Sequence, residues 1–363
     1  MRSYLLHSLL VAAALLSACK KEIEVIKEVP VTTSWTRSVY LEGHESVILA
    51  ASGSPTQLSL FSPHVLTTLT APAAGPRLTR QGYIITPIGF DDRPAVSSTL
   101  FAQPIRDSLV SIYYTANPIA SAATIRLKKL DALAQEVGSR NLSFLHFGAF
   151  NRNNYLLFSY FNAESQHPIK LVLTPVGLAA SAYTPPTLQP RVLTIPNPYP
   201  LGRADVRNIV AIDDYFLVGV SGVGVYKVWQ DGKYKLVYSG KVFPDSFYKW
   251  QGWVYATLEY NEMLASNDDG ATWQLWTGTP DFFNFTTYHV VQDSLVALTH
   301  NSGGNAFFTL RWKNGTYTAR RLKDDGLERL SFTSLDQVRD TVYMSTTGGL
   351  FKRPLNKFFE TKP

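Results

Sequence analysis

Short polar turns, each followed by an apolar run rich in β-formers, recur along this chain. The clearest are Arg106-Asp107-Ser108-Leu109-Val110, Gln292-Asp293-Ser294-Leu295-Val296 and Arg339-Asp340-Thr341-Val342-Tyr343. Shorter versions are Glu45-Ser46-Val47-Ile48, Asn153-Asn154-Tyr155-Leu156, Asp213-Asp214-Tyr215-Phe216 and Gln251-Gly252-Trp253-Val254. Marks at positions 46, 107, 154, 214, 252, 293 and 340 are 61, 47, 60, 38, 41 and 47 residues apart. Seven units after Arg37 average about 47 residues, inside the ~40–50 of a four-stranded propeller blade. A second turn keeps step with the first. Asp231-Gly232 and Asp269-Gly270 each place their Asp 17 residues after the preceding mark, and Asn314 of Asn314-Gly315 follows its mark by 21. Such dipeptides suit hairpin turns that need φ > 0. Two turns at a nearly fixed offset predict an all-β fold, a β-propeller of seven blades with four antiparallel strands each.

Three stretches depart from that rhythm. The segment 175–200 holds seven prolines, which deny donors to a ladder, and reads as an insertion loop. Between Ile125 and Val137 apolar residues fall at 127, 130, 133, 134 and 137, a spacing that suits either a short surface helix or an irregular outer strand. The strand expected after Val29 should complete the last blade, because closing the ring removes exposed edges.

Composition narrows the class. Of 363 residues 13% are aromatic and 17% charged, against about 25% charged in an average soluble domain. That apolar content is enough to offset the entropy of ordering and excludes a disordered chain. The net charge of +6 is spread thinly, with no block of five like charges, so no nucleic-acid-binding stripe is expected. Cys19 is the one cysteine, which excludes an internal disulfide and a cysteine metal site.

Residues 1–18 read as a signal peptide: Arg2 is basic, Leu5 to Leu16 is largely apolar, and the small residues Ser17 and Ala18 follow. Leu16-Ser17-Ala18-Cys19 resembles the lipobox of bacterial lipoproteins. The resemblance implies cleavage before Cys19, three acyl chains on it and a location in the bacterial cell envelope, on the outer membrane. Each buried methylene adds about 0.8 kcal/mol, and more than one chain makes the anchor stable. Residues 19–37 would then be lipidated cysteine and tether, and 38–363 the propeller, expected as a monomer with a membrane contact through Cys19.

One motif is sharp. Ser266-Asn267-Asp268-Asp269-Gly270-Ala271-Thr272-Trp273 matches S-x-D-x-G-x-T-W and resembles the Asp box, or BNR repeat, of sialidase-type propellers. Weaker copies are Trp229-Gln230-Asp231-Gly232-Lys233-Tyr234 and Trp312-Lys313-Asn314-Gly315-Thr316-Tyr317. Thr347-Gly348-Gly349-Leu350-Phe351 resembles a strand start of photosystem-assembly-factor-like propellers. In that family the box is a hairpin element away from any catalytic centre. A structural role therefore falls to Ser266, Asp268, Gly270, Thr272 and Trp273, with Asp268 accepting bonds from its own turn.

The resemblance also frames an enzymatic alternative, a divergent sialidase-like glycoside hydrolase or lyase. Such a site needs an arginine cluster for a carboxylate, an acid, and a tyrosine assisted by glutamate. The arginine-bearing F/Y-R-I-P segment has no match: Gln103-Pro104-Ile105-Arg106 and Pro190-Arg191-Val192-Leu193 differ. The candidates left are Asp91, Asp92 and Arg93 in one loop, and Tyr260 with Glu262, two apart on one strand face. The histidines after the leader (His44, His64, His146, His167, His289 and His300) are scattered singly, and no metal or cofactor is expected. The favoured reading is a non-enzymatic binding or assembly scaffold for a protein or glycan partner. Aromatics near the turns, Tyr113-Tyr114, Tyr155, Tyr160, Trp250, Trp253 and Phe282-Phe283, offer rigid area with a polar edge for such a partner, though inter-blade packing accounts for most of them.

Overall fold

Seven antiparallel sheets follow one another along the chain. They are seen in a computed structural model that describes residues 34–38, 48, 50–54, 56–62, 65–70, 77–82, 95–106, 108–116, 122–137, 147–164, 167–181, 183–199, 204–240, 244–258, 262–277, 286–301, 304–313 and 316–362. Blade 1 contains Ala50–Ser54, Gln57–Phe61, Val65–Thr70 and Arg77–Gly82. Blade 2 contains Ala95–Val96, Leu100–Arg106, Leu109–Tyr114 and Ala122–Arg126. Blade 3 contains Gly148–Phe150, Tyr155–Asn162, Ile169–Gly177 and Arg191–Ile195, with Ala134–Val137 and Thr187–Leu188 added to it. Blade 4 contains Val206–Ile212, Tyr215–Val220, Gly224–Trp229 and Tyr234–Ser239. Blade 5 contains Pro244–Trp250, Trp253–Leu258, Glu262–Ser266 and Gln274–Thr277. Blade 6 contains Thr286–Val291, Ser294–Asn301, Gly304–Lys313 and Thr316–Arg321. Blade 7 contains Phe332–Val338, Thr341–Thr346, Gly349–Pro354 and, from the other end of the chain, Thr36–Arg37.

The first strands of successive blades touch one another, and the first strand of blade 7 touches that of blade 1, so the ring is closed. The core is divided accordingly. Ile212, Tyr215, Leu217 and Val225 of blade 4 pack on Phe247, Val254, Ala256 and Leu264 of blade 5. Each of the other neighbouring pairs holds an equivalent cluster, the last joining Val338, Tyr343 and Leu350 to Leu58, Leu60 and Leu69. A middle strand therefore faces apolar neighbours on both sides. This is why Tyr215–Val220 is buried at every position instead of alternating. Its outer companion Tyr234–Ser239, at the sheet edge, is mostly exposed. The expected seven-bladed, four-stranded β-propeller is the fold.

Five of the seven sequence marks fall on the hairpin between the first and second strands: at 154, 214, 252, 293 and 340. Their tight turns hold non-glycine residues in the left-handed region: Asn154, Asp213, Gln251, Gln292 and Arg339, with φ between 48° and 60°. The other two marks do not fall there. The first hairpin of blade 1 joins Ser54 to Gln57, later than the mark at Ser46, which lies outside the described residues. The mark at Asp107 falls on the second hairpin of blade 2, joining Arg106 to Leu109. A polar turn signal announces a hairpin without saying which hairpin of the blade it serves. The second set of marks fits a single place: Asp231-Gly232 and Asp269-Gly270 join third to fourth strands. Asn314-Gly315 lies outside the described residues.

The proline-rich stretch is not a plain insertion loop. Arg191–Ile195 inside it is a blade strand paired with Ile169–Gly177. Pro190 and Pro196 stand just outside that strand's ends, where no ladder donor is needed. Between Ile125 and Val137 both expected forms occur: a four-residue helix, Leu127–Leu130, then the strand Ala134–Val137.

Closure of the ring is tied from both ends of the chain. Thr36 and Arg37 pair with Lys352 and Phe351. Trp35 is 1% exposed and packs edge-on against Phe307 and Phe358, while its Nε1 donates to the Lys323 carbonyl at 3.0 Å. Nearby, the fully buried Arg353 donates to the Lys323 carbonyl at 3.0 Å and to Glu360 at 2.9 Å. The strand expected near Val29 is thus Thr36–Arg37, and Val29 itself lies outside the described residues.

Candidate binding site

Antiparallel connectivity gives each blade two edges. One carries the turns between strands one and two and between strands three and four. The other carries the turns between strands two and three and the links to the next blade. The S-x-D-x-G-x-T-W segment belongs to the first edge. Ser266 Oγ donates to Asp268 Oδ1 at 2.7 Å and accepts from Gly270 N at 2.8 Å. Asp268 also accepts from the backbone N–H groups of Ala271 (3.1 Å) and Thr272 (2.9 Å) and from the Thr272 hydroxyl (2.7 Å). The Thr272 amide and the Ser266 and Thr272 hydroxyls pull the Asp268 carboxyl down to about 2. Gly270 has φ +76°, and a Cβ there would lie 3.3 Å from the Trp273 ring. Trp273 packs on the cluster shared by blades 4 and 5.

The same edge is laced across blades by charge. Lys249 bridges Asp213 of blade 4 (2.6 Å) and Asp269 of blade 5 (2.8 Å), which raises its own pKa. Lys227 lies 3.8 Å from the Tyr215 ring centroid and donates to the Asp269 carbonyl at 2.7 Å. Burial lowers the Lys227 pKa despite Asp269 nearby. Lys249 thereby joins blades 4 and 5 by ion pairs and Lys227 by a hydrogen bond.

The opposite edge is built differently. The innermost strands of blades 4, 5 and 7 carry a β-bulge at the same place, Arg207, Asp245 and Thr333. Bulges of this kind re-aim side chains. Here Arg207 Nη1 meets Asp245 Oδ1 at 3.3 Å, and Asn208 Nδ2 donates to the Asp245 carbonyl at 2.7 Å.

Beside Arg207 a small cleft of about 30 Å³ opens between blades 3 and 4. Its walls come from 159–162 at the end of one strand, 167–170 at the start of the next, and Ala204 and Val206 of the following blade. Lys170, with its side chain 9% exposed, anchors the floor. Its ammonium meets Glu164 at 2.7 Å and Asp131 at 3.9 Å and donates to Thr194 Oγ1 at 3.2 Å. Tyr160 donates to Asp131 at 2.7 Å, and burial together with that carboxylate raises the phenol's pKa far above its ordinary value. Burial pushes Asp131 up, but bonds from Tyr160 and Leu133 N and the nearby Lys170 outweigh it and leave the carboxyl lowered. Asn162, itself buried, faces the same carboxylate and adds to that lowering. His167 stands exposed at the rim with φ +44°. The cleft therefore combines a satisfied zwitterionic floor with the apolar sides of Phe161, Pro168, Ile169 and Val206.

Of the residues singled out from sequence, Cys19, Asp91, Asp92, Arg93 and Tyr260 lie outside the described residues. Glu262 is half-buried, opens the third strand of blade 5 and pairs with Thr277. Burial and then the Glu262 charge raise the pKa of Tyr238. Of the turn aromatics, Tyr113, Tyr114 and Tyr160 are buried, and Trp250 and Trp253 pack between blades 5 and 6. Phe282 and Phe283 lie outside the described residues. Sequence reasoning passed over Asp131, Asn162, Glu164 and Lys170, which come from separate elements. The only local signal was the polar run Ala163-Glu164-Ser165-Gln166-His167-Pro168 between two apolar strands.

No protein-family model and no curated protein sequence matches the chain. Solved structures share its fold. The β-propeller domain of Cps50 (Swd1) of Myceliophteria thermophila aligns at TM-score 0.52 and 11% identity, over 88% of this chain and 96% of that one. The WD40 propeller of Doa1 aligns at TM-score 0.51 and 11% identity, over 88% and 96%. PorZ, a surface component of the type-IX secretion system of Porphyromonas gingivalis, aligns at 0.48 and 11% identity, over 91% of this chain and 39% of PorZ. At these identities the likeness establishes a β-propeller and nothing about ligand or activity.

Proposed function

We propose that the protein is a lipid-anchored scaffold of the bacterial cell envelope that binds a protein or glycan partner without chemistry of its own. One observation carries the binding half. Exposed large apolar side chains gather on and around blades 3 to 5: Leu130, Leu133, Leu178, Tyr183, Tyr199, Tyr234, Leu236 and Leu275. Val290 is the one such residue elsewhere among the described residues. Scattered apolar residues need no explanation, but their bias to this arc among the described residues supports an interaction surface there. Tyr183, 76% exposed, presents a rigid ring with a polar tip, the chemistry favoured at binding surfaces. The anchoring half rests on Leu16-Ser17-Ala18-Cys19.

Each half has its own test. Cys19→Ser should abolish incorporation of labelled fatty acid and release the protein from the membrane fraction. Unchanged labelling and retention would remove the lipoprotein reading. Cross-linking of the anchored protein in cells should trap a partner, and Tyr183→Ser with Leu178→Ser should lose it at unchanged melting temperature. A partner trapped equally well by that double variant would move the binding surface elsewhere.

A further inference from the structure

We propose that the outermost strand of blade 4, Tyr234–Ser239, takes an extended segment of a partner protein as a fifth strand, one in which apolar residues alternate with acidic ones. The inference rests on the scaffold reading and gives the chemistry of the partner at one part of the rim. It is independent of the anchor.

The first argument is the open strand. Tyr234–Ser239 ends the strand order of blade 4, and no segment among the described residues pairs with its outward side. An outermost strand presents a row of N–H and C=O groups that can pair with another chain. Elsewhere the protein fills such rows with its own ends. Residues 360–362 run alongside 321–323, Lys323 N donating to the Glu360 carbonyl at 3.0 Å and Lys362 N to the Arg321 carbonyl at 3.1 Å. Thr36–Arg37 does the same for Gly349–Pro354. The blade 4 strand is also held in place beforehand. Trp229 N donates to the Lys233 carbonyl at 2.9 Å in the turn before it, and the Tyr234 hydroxyl donates to the Thr194 carbonyl of blade 3 at 3.2 Å. A strand already ordered adds main-chain bonds without an ordering cost of its own.

The second argument is the chemistry of its two faces. Tyr234 and Leu236 lie opposite Val228 and Tyr226, on the blade 3 side, and stay 38% and 37% exposed. Lys235 lies directly opposite Lys227, on the other face, and is exposed. Lys227 turns inward to the Asp269 carbonyl, and Lys233 is paired with Asp231 at 2.9 Å. Lys235 meets no carboxylate among the described residues. Like charges directly opposite destabilise a strand pair, so an acid from outside would answer Lys235.

The third argument joins the two. An added strand sends successive side chains to opposite faces. Residues on the face of Tyr234 and Leu236 gain by being apolar, and the residue between them, on the face of Lys235, gains by being acidic. A second copy of this strand would bring another Lys235 to the same face, so like charge disfavours self-pairing and the occupant is a different chain.

The test uses the full-length protein in detergent and three fluorescein-labelled hexapeptides followed by anisotropy. One alternates valine with glutamate, one alternates valine with lysine, and the third is the glutamate peptide with an N-methylated backbone. The glutamate peptide should bind saturably in the millimolar range or tighter. The lysine peptide should bind at least about tenfold more weakly, and the N-methylated peptide, which lacks the donors of an added strand, should not bind. Binding should slow amide hydrogen exchange at residues 234–239. Lys235→Glu should reverse the preference between the two charged peptides, and Leu236→Ser should weaken both, each at unchanged melting temperature because both sites are exposed. Absence of saturable binding, equal binding of the N-methylated peptide, exchange slowed only elsewhere, or an unchanged preference in Lys235→Glu overturns the proposal. Self-association of Lys235→Ala without peptide binding would overturn it too, by making Lys235 a guard against pairing. Such failures leave partner capture through Leu178 and Tyr183 standing, whereas a protein that binds the glutamate peptide and traps no partner in cells would fail the scaffold reading alone.

Discussion

Asp268→Ala removes one carboxylate from a turn in which it accepts four hydrogen bonds. Two come from backbone N–H groups and two from hydroxyls. A bond to a charged acceptor contributes about 1.5–3 kcal/mol net when its loss leaves a buried group unmet. Here Asp268, Ala271 and Thr272 are all exposed, so water replaces much of what is lost. The better comparison is a helix cap replaced by alanine, at about 0.5–2 kcal/mol. A loss of about 1–2 kcal/mol follows, seen as a melting temperature lower by about 2–5 °C for a domain of this size. The pH dependence gives a second check. The folded carboxyl lies at about 2, below its ordinary 3.8, so its contribution is present above pH 4 and lost as pH falls through about 2. Going from 3.8 to about 2 corresponds to ~2.5 kcal/mol at most, and solvent screening of this exposed group reduces that to about 1. Urea unfolding followed by far-UV circular dichroism at pH 7 and at pH 2 measures both. A variant with the wild-type midpoint at pH 7, or a deficit undiminished at pH 2, would refute the reasoning.

Other substitutions probe different parts of the ring. Trp35→Ala should cost about 3–5 kcal/mol, the range for a fully buried aromatic, read as a lowered urea midpoint; a loss below 1 kcal/mol would mean that Trp35 does not hold the closing strand. Gly224 has φ +137°, and a Cβ there would sit 2.0 Å from the Tyr238 carbonyl, so Gly224→Ala should be more damaging than a surface change and should fail to accumulate as folded protein. Glu262→Gln should leave stability within about 0.5 kcal/mol and lower the Tyr238 pKa in an ultraviolet pH titration. Turnover of aryl glycosides that Glu262→Gln abolishes at unchanged melting temperature would make the protein an enzyme.

How legible the fold was depended on which interactions are local. A hairpin is local, and Asp213-Asp214, Gln251-Gly252 and Arg339-Asp340 announced theirs because polar residues interrupt runs that are otherwise buried on both faces. The position of a hairpin within its blade is set by pairing across the sheet, so Asp107 was legible as a turn but not as the second turn of blade 2. The proline-rich segment misled because prolines mark strand ends as readily as loops. The cleft was the least legible part. Lys170, Asp131 and Tyr160 converge from three elements, and only the register of blade 3 and its contact with blade 4 bring them together.

The strand that closes the ring carries a consequence for how the chain is made. Thr36 and Lys352 are neighbours in the last blade although 316 positions separate them along the polypeptide. During synthesis the first of these strands emerges long before its partner, and blades 1 to 6 can assemble while it waits. The final blade must form last, across the greatest loop-closure distance in the molecule, and such pairings are intrinsically slow. Until then the outer edge of Gly349–Pro354 and the apolar side of Trp35 are both open to other chains. A truncation that removes residues 34–37 should therefore leave six blades able to fold, with a seventh whose free edge recruits a neighbour, so that its mark is concentration-dependent association more than loss of sheet.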